Sequence, residues 1–564
     1  MSSLSSRDYV VFGIYFVVVA SYGLWVYFKK RKAKVSSGTT DYFLAEGSLT
    51  WWAIGASLIA SNISSEQFIG TGGSAFREGL AISTYEWMAA ATLLIVAIFF
   101  IPVYLKNKIF TMPQFLNQRY NSTVAMVMAI FWLLLYIVVN LMSILYLGAL
   151  ALSTISGFDK NLCILFLAVF AVIITLGGMK VIGYTDVIQV FVLVLGGLVA
   201  TYLALDKIST MSGGSGILNG FTVLHQQASD HFHMIFKKDN PNYVDLPGLS
   251  VLVGGMWITN LNYWGCNQYI TQRALGADLK TARSGILFAS FLKLLMPVIV
   301  VLPGIAVYLL HQKGLFHQEM LTSKGVLDPN RAYPSLISLL PTGLKGLSFA
   351  ALTAAIVASL AGKANSIATI FTLDIYKKAI KPNAGDKQLV NLGKISVFVA
   401  MCLGVIMSLV IGDSLMGEGK QGFQYIQEYT GFVAPGIFAM FILGFFWKKT
   451  TSNAALFATI GGFIFSVFFK VLPHYANLMF LKPYGFFALN PNTKAYEIPF
   501  LDRMGFVFII CIIGMYIISM IENSKGERTN GLEVDTSMFK VSKGFIAGSL
   551  IVCGILVALY TLFW

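Results

Sequence analysis

The sequence predicts an all-α polytopic membrane protein, and three observations support this fold class. Of the 564 residues, 56% are hydrophobic and only 12% are charged. The mean hydropathy is +0.73, and the apolar residues fall into runs of about 20, the length that crosses a bilayer as a helix. Soluble proteins carry about a quarter charged residues. The composition therefore excludes a soluble enzyme, a disordered scaffold and, despite the net charge of +14, a nucleic-acid binder.

The apolar runs predict about fourteen transmembrane helices. They lie at roughly 8–28, 49–74, 80–103, 122–154, 160–180, 186–207, 248–272, 281–310, 344–377, 389–412, 421–447, 451–472, 502–522 and 542–562. The first run lacks a basic lead and a small-residue cleavage site, so we expect it to be retained as a helix. The longest connections are polar and contain all six histidines; we interpret His231 and His233 as solvated loop residues and not as metal ligands.

The distribution of Lys and Arg orients the chain, because cytoplasmic loops are enriched in both. With the N-terminus outside, the inside connections hold half of the 40 basic residues, including the run KKRKAK that begins at Lys29. The three long loops, which are poor in Lys and Arg for their length, then fall outside. An even number of spans places the C-terminus outside as well.

Two spans carry polar residues at mid-membrane depth and are predicted to unwind at their centres. The second reads WWAIGASLIASNISSEQFIGTGGSAF and the seventh reads GLSVLVGGMWITNLNYWGCNQYITQR. Unwound backbone in a membrane frees carbonyls that can bind a cation, and broken helices at matching positions are typical of transporters with inverted repeats. The two spans are five apart in order, which predicts two inverted five-helix repeats over 49–207 and 248–447.

Further polar residues lie inside other spans and require a polar cavity. They are Glu86, Asp186, Lys293, Ser359, Lys363, Gln427 and Glu428. Aromatic residues flank them, among them Tyr85, Tyr263, Trp264 and Phe423. Polar groups supply the donors and acceptors that hydroxyls need, and an aromatic face packs on the C–H face of a sugar ring. This combination indicates a polyhydroxylated ligand.

The same stretches carry a family resemblance. The sequence resembles the sodium/solute symporter family and, within it, the sodium/galactose and sodium/glucose cotransporters of bacteria. The resemblance covers nearly the whole chain and is carried by WWAIGASLIASNISSEQFIG, STYEWM, YTDVIQVFVLVLGG, NPNYVDLPG, NYWGCNQYITQR, FLKLLMP, TIFTLDIYK, FQYIQEYTG, GFFWKKTTS and LYTLFW. EQFIG, YEWM and FQYIQEYTG are specific to the sugar branch.

The resemblance implies a leucine-transporter-type fold of ten core helices with flanking spans. The segments would be an N-terminal extra helix and basic cytoplasmic loop (1–48), the first repeat (49–207), an extracellular or periplasmic loop (208–247), the second repeat (248–447) and C-terminal extra helices (448–564). It also implies a multi-pass protein of the bacterial inner membrane.

The resemblance further implies the residues of the site. Sugar contacts fall on Gln67, Glu86, Asn260, Lys293 and Gln427, with Asn62 nearby. The inner gate falls on Tyr263, beside Trp264, and the outer gate on Tyr85 and Phe423. Sodium ligands fall on the carbonyls of Ala60, Ile63 and Ala355 and the hydroxyl of Ser359, and Asp186 matches a residue of the sodium exit route.

Four residues depart from the family pattern. Ala358 replaces one of two sodium-site serines, Ala89 replaces a sugar-contacting serine, Thr71 replaces an outer-gate methionine, and Lys363 introduces a charge one helical turn beyond Ser359. Lys363 could replace sodium and make transport proton-linked or uncoupled. We prefer sodium, and we expect Lys363 to snorkel or to pair toward the cytoplasm.

The resulting expectation is a transporter that imports a hexose, such as galactose or glucose, together with sodium as co-substrate and without a further cofactor. A polyol or sialic acid carried by the same fold is the nearest alternative. A membrane enzyme is disfavoured because the sequence has no HExxH motif, nucleotide-binding glycine loop or catalytic dyad. A channel is disfavoured because two broken helices at repeat-related positions favour alternating access.

Overall fold

The computed structural model describes residues 4–32, 50–109, 111–176, 179–322, 324–417, 420–491 and 493–564. Across them the chain is mostly helical, with loops between the helices and a short two-stranded antiparallel sheet, Ala488–Leu489 with Tyr496–Glu497. The α-helices are Ser6–Lys32, Trp51–Asn62, Gly72–Glu78, Thr84–Ile95, Ile101–Lys106, Met112–Arg119, Ser122–Leu134, Met142–Ser156, Lys160–Leu176, Met179–Met211, Ile217–Gln227, Leu249–Val253, Gly255–Cys266, Gln268–Leu275, Leu279–Gln312, Ala332–Ile337, Leu344–Thr369, Asp386–Met416, Gly422–Thr430, Ala434–Phe446, Ser452–Leu456, Gly462–Val471, Phe500–Ser524 and Lys543–Leu562.

Several helices contain or adjoin a π-helical segment, in which each turn takes an extra residue. These segments are Glu66–Thr71, Val96–Phe100, Leu135–Leu141, Ile370–Ile380 and Phe457–Gly461. Short 3₁₀ turns lie at Gly79–Ser83, Ser229–His231, Pro329–Arg331, Leu472–His474, Met479–Tyr484 and Thr536–Phe539.

Side-chain caps fix where several of the helices begin. The Asn121 side chain accepts a hydrogen bond from the backbone N–H of Val124, and the Asp278 carboxylate accepts from the N–H groups of Lys280 and Thr281. Such bonds satisfy N–H groups that the first turn of a helix leaves unpaired. They place the observed starts within a few residues of the predicted spans.

Nine helices of the described residues are long and apolar enough to cross a membrane, or ten if one bent pair counts as a span. That count treats Glu66–Lys106 as a single helix, whereas we predicted a boundary between 74 and 80. Gly79 interrupts this run with a φ of 69°, a conformation that only glycine adopts without strain. The number fourteen stays a prediction.

The helices differ in how deeply they lie in the bundle. The most apolar windows of Glu66–Lys106 and Leu344–Ile380 are each 72% buried, whereas that of Lys543–Leu562 is 17% buried. Peripheral helices such as Asp386–Met416 instead expose large apolar side chains, as a lipid-facing surface requires. The bundle thus has central helices enclosed by others and an outer layer.

The connections between helices segregate into two groups. In one group, the backbone N–H groups of Met234 and Ile235 donate to the carbonyls of Phe563 and Trp564 at 2.7 and 3.2 Å. The Asp8 carboxylate likewise accepts from the N–H of Gly343 at 2.7 Å. Both chain ends therefore adjoin the long loops, and the side of the membrane on which they lie stays a prediction.

The other group contains the shorter, basic connections. Lys106 forms an ion pair with Glu533 at 3.3 Å, and Arg283 donates to the carbonyls of Met538 and Lys540. The Thr529 hydroxyl donates to the carbonyl of Lys448 at 2.8 Å. These basic connections thus contact one another, and their position on the inner side stays a prediction.

The prediction of solvated loop histidines is wrong for His231. Its ring is buried and stacks on Tyr308 with 3.8 Å between the ring centroids, and its Nε2 lies 3.2 Å from the carbonyl of Phe76. His233, two residues on, is exposed as expected. His231 is buried because its loop packs against the helices Gly72–Glu78 and Leu279–Gln312, which carry Phe76 and Tyr308. The local sequence does not reveal this contact.

Candidate functional site

Two broken helices meet at the centre of the bundle. The first ends at Asn62, adopts an extended conformation at Ile63 and resumes as a π-helix at Glu66. The other is interrupted at Gly254 and again at Asn267. The predicted central break is confirmed in the second span, whereas the seventh is interrupted near both of its ends and is helical across its centre, over Gly255–Cys266.

These breaks expose polar backbone in the interior. The last carbonyls of a helix have no partner within it, and the C-terminal end carries partial negative charge. The carbonyls of Ala60 and Ile63 lie at such an end. A cation is the natural ligand there.

A cavity of about 100 Å³ lies between the broken helices and their neighbours. Its lining contains every predicted sugar-contacting residue and every predicted gate residue. These are Asn62, Gln67, Glu86, Asn260, Lys293 and Gln427, with Tyr85, Tyr263, Trp264 and Phe423. Residues that lie far apart in the sequence are thus brought together in one site.

A buried ion pair lies at the centre of this lining. The Lys293 ammonium donates to a carboxylate oxygen of Glu86 and to the amide oxygen of Asn62. Lys293 is 1% exposed and Glu86 is 3% exposed. The ammonium also lies over the Trp264 ring, 5.1 Å from its centroid. Because a buried charge is tolerated only when paired, these contacts fix Lys293 in a single position.

Aromatic contacts limit the cavity. The Tyr85 and Phe423 rings pack edge to face with 4.9 Å between their centroids. Tyr263 and Trp264 form a second perpendicular pair at 5.1 Å, and the Tyr263 hydroxyl accepts from the Asn62 amide at 3.3 Å. Each pair contains a tyrosine, whose hydroxyl adds a hydrogen-bonding group to the apolar ring faces. This combination suits a ligand ring that has an apolar face and polar substituents.

Hydrogen bonds orient two of the remaining polar side chains. The Thr71 hydroxyl donates to the Gln67 amide oxygen at 3.0 Å, so this departure from the family pattern contacts a predicted sugar residue directly. The Asn260 amide donates to the carbonyl of Met256 at 3.2 Å. Ala89, at the position of a family serine, also lines the cavity.

The predicted sodium ligands come from two helices in contact. Ser359 is buried and lines the cavity, on the Leu344–Thr369 helix. This helix packs against Trp51–Asn62, the helix that ends beside the predicted carbonyl ligands. Ala60, Ile63 and Ala355 are not part of the cavity lining, although a backbone carbonyl can ligate without its side chain facing the cavity. Asp186 lies outside the residues whose side chains the structure describes.

Lys363 is enclosed within the bundle and does not snorkel. Its side chain is 5% exposed, and its ammonium donates to the Asn140 amide oxygen at 3.1 Å and lies 4.9 Å from the centroid of the Tyr136 ring. It also interacts electrostatically with the carboxylate of Glu66. Lys363 is therefore paired, and two of its partners, Asn140 and Glu66, belong to the cavity lining; the expected direction of this pairing, toward the cytoplasm, stays a prediction.

Sequence reasoning missed some members of the site. Asn140 and Thr259 line the cavity, and Glu66, noted only as a polar residue of a broken span, does so as well. An asparagine within an apolar span is itself a signal of function that could have identified Asn140. Glu428, in contrast, lies outside this lining and pairs with Arg503 at 2.8 Å and Lys470 at 2.7 Å.

A polar cavity between two interrupted helices, enclosed by apolar helices, defines a membrane transport protein of the broken-helix class. The chain belongs to the sodium:solute symporter family, whose sequence model matches residues 42–462. It is a multi-pass membrane protein.

Named relatives agree with this assignment. The chain is 44% identical to the sodium/glucose cotransporter of Vibrio parahaemolyticus, over 100% of this chain and 99% of that protein. It is 33% identical to the human sodium/myo-inositol cotransporter 2, over 83% of this chain and 70% of the relative. The substrate-bound, outward-open structure of a Na⁺-coupled sialic acid symporter superposes with a TM-score of 0.72, covering 92% of this chain and 98% of that one at 22% identity. This last likeness concerns the fold.

Proposed function

We propose that the protein imports a neutral hexose, such as galactose or glucose, together with sodium by alternating access. The observation that carries the proposal is the cavity lining, in which Lys293, Glu86 and Asn62 form a bonded cluster between two broken helices. A monosaccharide presents hydroxyls to such a cluster and its C–H face to the adjacent rings.

The charge of the cluster favours a neutral sugar over sialic acid. A carboxylated solute needs an uncompensated cation, whereas the Lys293 ammonium is already paired with Glu86. The other lysine of the lining, Lys363, is attracted electrostatically by the Glu66 carboxylate. A polyol would present the same hydroxyls as a hexose and is separated from it by the uptake experiment below.

Sodium binds, in this proposal, to the carbonyls of Ala60, Ile63 and Ala355 and to the Ser359 hydroxyl. It joins the end of the first broken helix to the Leu344–Thr369 helix and favours the outward-open state. Sugar then brings the outer aromatic residues together, and one repeat (49–207) rocks against the other (248–447). Sodium leaves first on the inner side, by a route that includes Asp186.

The driving force is sufficient for uphill import. One charge moving through 100 mV supplies about 2.3 kcal/mol, and a tenfold sodium gradient supplies about 1.4 kcal/mol. Their sum corresponds to roughly a few hundred-fold accumulation of sugar per coupled ion. The proposed location is the bacterial inner membrane, with both chain ends and the long loops outside.

The test is uptake into proteoliposomes that contain the purified protein. Galactose, glucose, myo-inositol and sialic acid are offered under an inward sodium gradient, with choline as the control cation. We expect saturable, sodium-dependent uptake of a neutral hexose, and exchange of labelled for unlabelled sugar in counterflow. Uptake indifferent to sodium but driven by an inward proton gradient would contradict the proposed coupling, and absence of counterflow would contradict transport.

A further inference from the structure

We infer that the Lys363 ammonium occupies a second cation site, and that a neutral residue in its place opens this site to a sodium ion. The site consists of oxygen atoms from Glu66, Asn140, Ser143 and Ser64, and is separate from the sodium ligands proposed above. Lys363 would thereby limit the number of sodium ions that the protein binds. The inference rests on the proposed function only for the identity of the ion.

The contacts of Lys363 are those of a bound cation. Its ammonium donates a hydrogen bond to the amide oxygen of Asn140 at 3.1 Å and lies 4.9 Å from the centroid of the Tyr136 ring. The carboxylate of Glu66 attracts it electrostatically. Oxygen atoms, aromatic faces and carboxylates also stabilise small monovalent cations. The side chain is 5% exposed, so these protein groups form most of its surroundings.

Glu66 supplies the negative charge of this site and is held in place independently of Lys363. One of its carboxylate oxygens accepts from the Ser143 hydroxyl at 2.7 Å, and its backbone N–H donates to the Ser64 hydroxyl at 3.1 Å. Two hydroxyls, an amide oxygen and a carboxylate form an all-oxygen set, the type that hard cations prefer.

Loss of the lysine charge leaves Glu66 without its counter-charge. Removing one partner of a buried pair is strongly destabilising because the other charge stays buried. An ion from solvent can restore neutrality, since Glu66, Asn140, Ser64 and Lys363 all line the cavity. Sodium fits the vacated position because the ligand oxygens are already held by other contacts.

Ser359 and Lys363 lie one turn apart on the same helix, so the two cation positions are neighbours. The proposed sodium at Ser359 uses carbonyls at the end of Trp51–Asn62. Lys363 instead contacts the π-helical segment Leu135–Leu141, which contributes both Tyr136 and Asn140. The two sites share the break between Asn62 and Glu66, which supplies Ile63 to one and Ser64 and Glu66 to the other, but no ligand is common to both.

The experiment measures sodium binding to the purified full-length protein without sugar, by equilibrium binding of ²²Na⁺ with choline as the competing control. We expect Lys363→Met to bind one sodium ion more per protein than the wild type at saturation. Lys363→Arg retains the cation and should bind the wild-type number. Lys363→Met combined with Glu66→Gln removes both charges and should also bind the wild-type number.

A Lys363→Met protein that is folded and binds no additional sodium would overturn the inference, as would an additional ion that persists in the double variant. If Lys363→Met does not fold in low salt, thermal unfolding is followed in increasing NaCl and in choline chloride. Stabilisation by sodium and not by choline, absent from the double variant, supports the site, and equal responses to both salts overturn it.

These outcomes are distinct from failure of the proposed function. A wild type that binds no sodium and takes up sugar without it would contradict sodium coupling. A gain of one ion in Lys363→Met would still establish the second site in that case.

Discussion

Two buried lysines of the cavity lining have the same three kinds of partner. Lys293 contacts the carboxylate of Glu86, the amide oxygen of Asn62 and the face of Trp264. Lys363 has the carboxylate of Glu66, the amide oxygen of Asn140 and the face of Tyr136. Below they are called the Lys293 cluster and the Lys363 cluster.

The clusters differ in what surrounds them. Asn62 of the Lys293 cluster also donates to the hydroxyl of Tyr263, so this cluster extends to an aromatic residue that can pack on a sugar. Glu66 of the Lys363 cluster instead accepts from the hydroxyl of Ser143 and lies beside the proposed sodium ligands. The same chemical motif can therefore serve a solute in one place and an ion in another, depending on its neighbours.

The largest expected effect comes from breaking the Lys293 cluster. Lys293→Ala or Glu86→Ala, and likewise Gln67→Ala or Asn260→Ala, should nearly abolish sugar uptake. Each substitution removes a partner from a desolvated hydroxyl, which costs about 1–3 kcal/mol of binding. Initial rates of uptake at saturating sodium measure the loss.

The control for this prediction is Lys482→Ala, which removes an exposed lysine that donates to the Tyr496 hydroxyl outside the cavity. It should transport at the wild-type rate. Wild-type uptake by two or more of the four cavity variants would show that the sugar binds elsewhere.

The next effect separates the clusters by their response to sodium. Ser359→Ala should remove the sodium dependence of uptake, because Ser359 supplies the only side-chain hydroxyl among the proposed ligands. Lys363→Ala should retain saturable sodium dependence at constant pH. Ser366→Ala is a matched control on the same helix, since its hydroxyl donates to the carbonyl of Gly362 at 3.0 Å. If Lys363→Ala lost the sodium response and Ser359→Ala retained it, Lys363 and not Ser359 would be the residue required for sodium dependence.

A smaller effect tests the aromatic neighbour of the Lys293 cluster. Tyr263→Phe should retain most transport because the ring remains, although the bond from Asn62 is lost. Tyr263→Ala should weaken sugar binding and loosen coupling, since neither ring nor hydroxyl is left. Sugar accumulation and sodium leak, measured in the same vesicles, distinguish these outcomes, and normal accumulation by Tyr263→Ala would reduce Tyr263 to a packing residue.

The smallest effect concerns Asp245, a half-buried carboxyl of the loop before the second broken helix. Burial raises its pKa to about 7, although Arg77 favours its charged form. A carboxyl whose pKa is higher in the folded than in the unfolded protein destabilises the fold progressively as pH rises from about 4 to about 7. Asp245→Asn removes this penalty and should raise the melting temperature by roughly a few degrees at pH 8 and by less at pH 5. An equal change at both pH values would contradict the role of its ionisation.

The sequence was sufficient to predict the membrane class, the approximate spans and the two broken helices. Composition, basic loops and polar residues within apolar runs are local signals, and each can be recognised without knowledge of the packing. The resemblance supplied the members of the Lys293 cluster, and the structure brings them together. It does not by itself test their roles.

The Lys363 cluster could not be predicted in the same way. Glu66, Asn140 and Lys363 come from three helices that are far apart in the sequence, and no local pattern states which polar residue meets which. The expectation that Lys363 snorkels or pairs toward the cytoplasm followed from its long side chain and its position late in the span. Only tertiary packing reveals that a carboxylate and an amide oxygen lie within reach.

The π-helical segment Leu135–Leu141 carries two members of the Lys363 cluster on one apolar helix. An extra residue in a helical turn rotates everything that follows by about 100° relative to a regular α-helix. Insertion or loss of a single residue can therefore redirect a whole helix face while leaving its composition intact. Deletion of Val138 should turn Asn140 away from Lys363 without changing any polar residue. Such one-residue changes in length provide a route to new specificity that a comparison of substitutions alone would overlook.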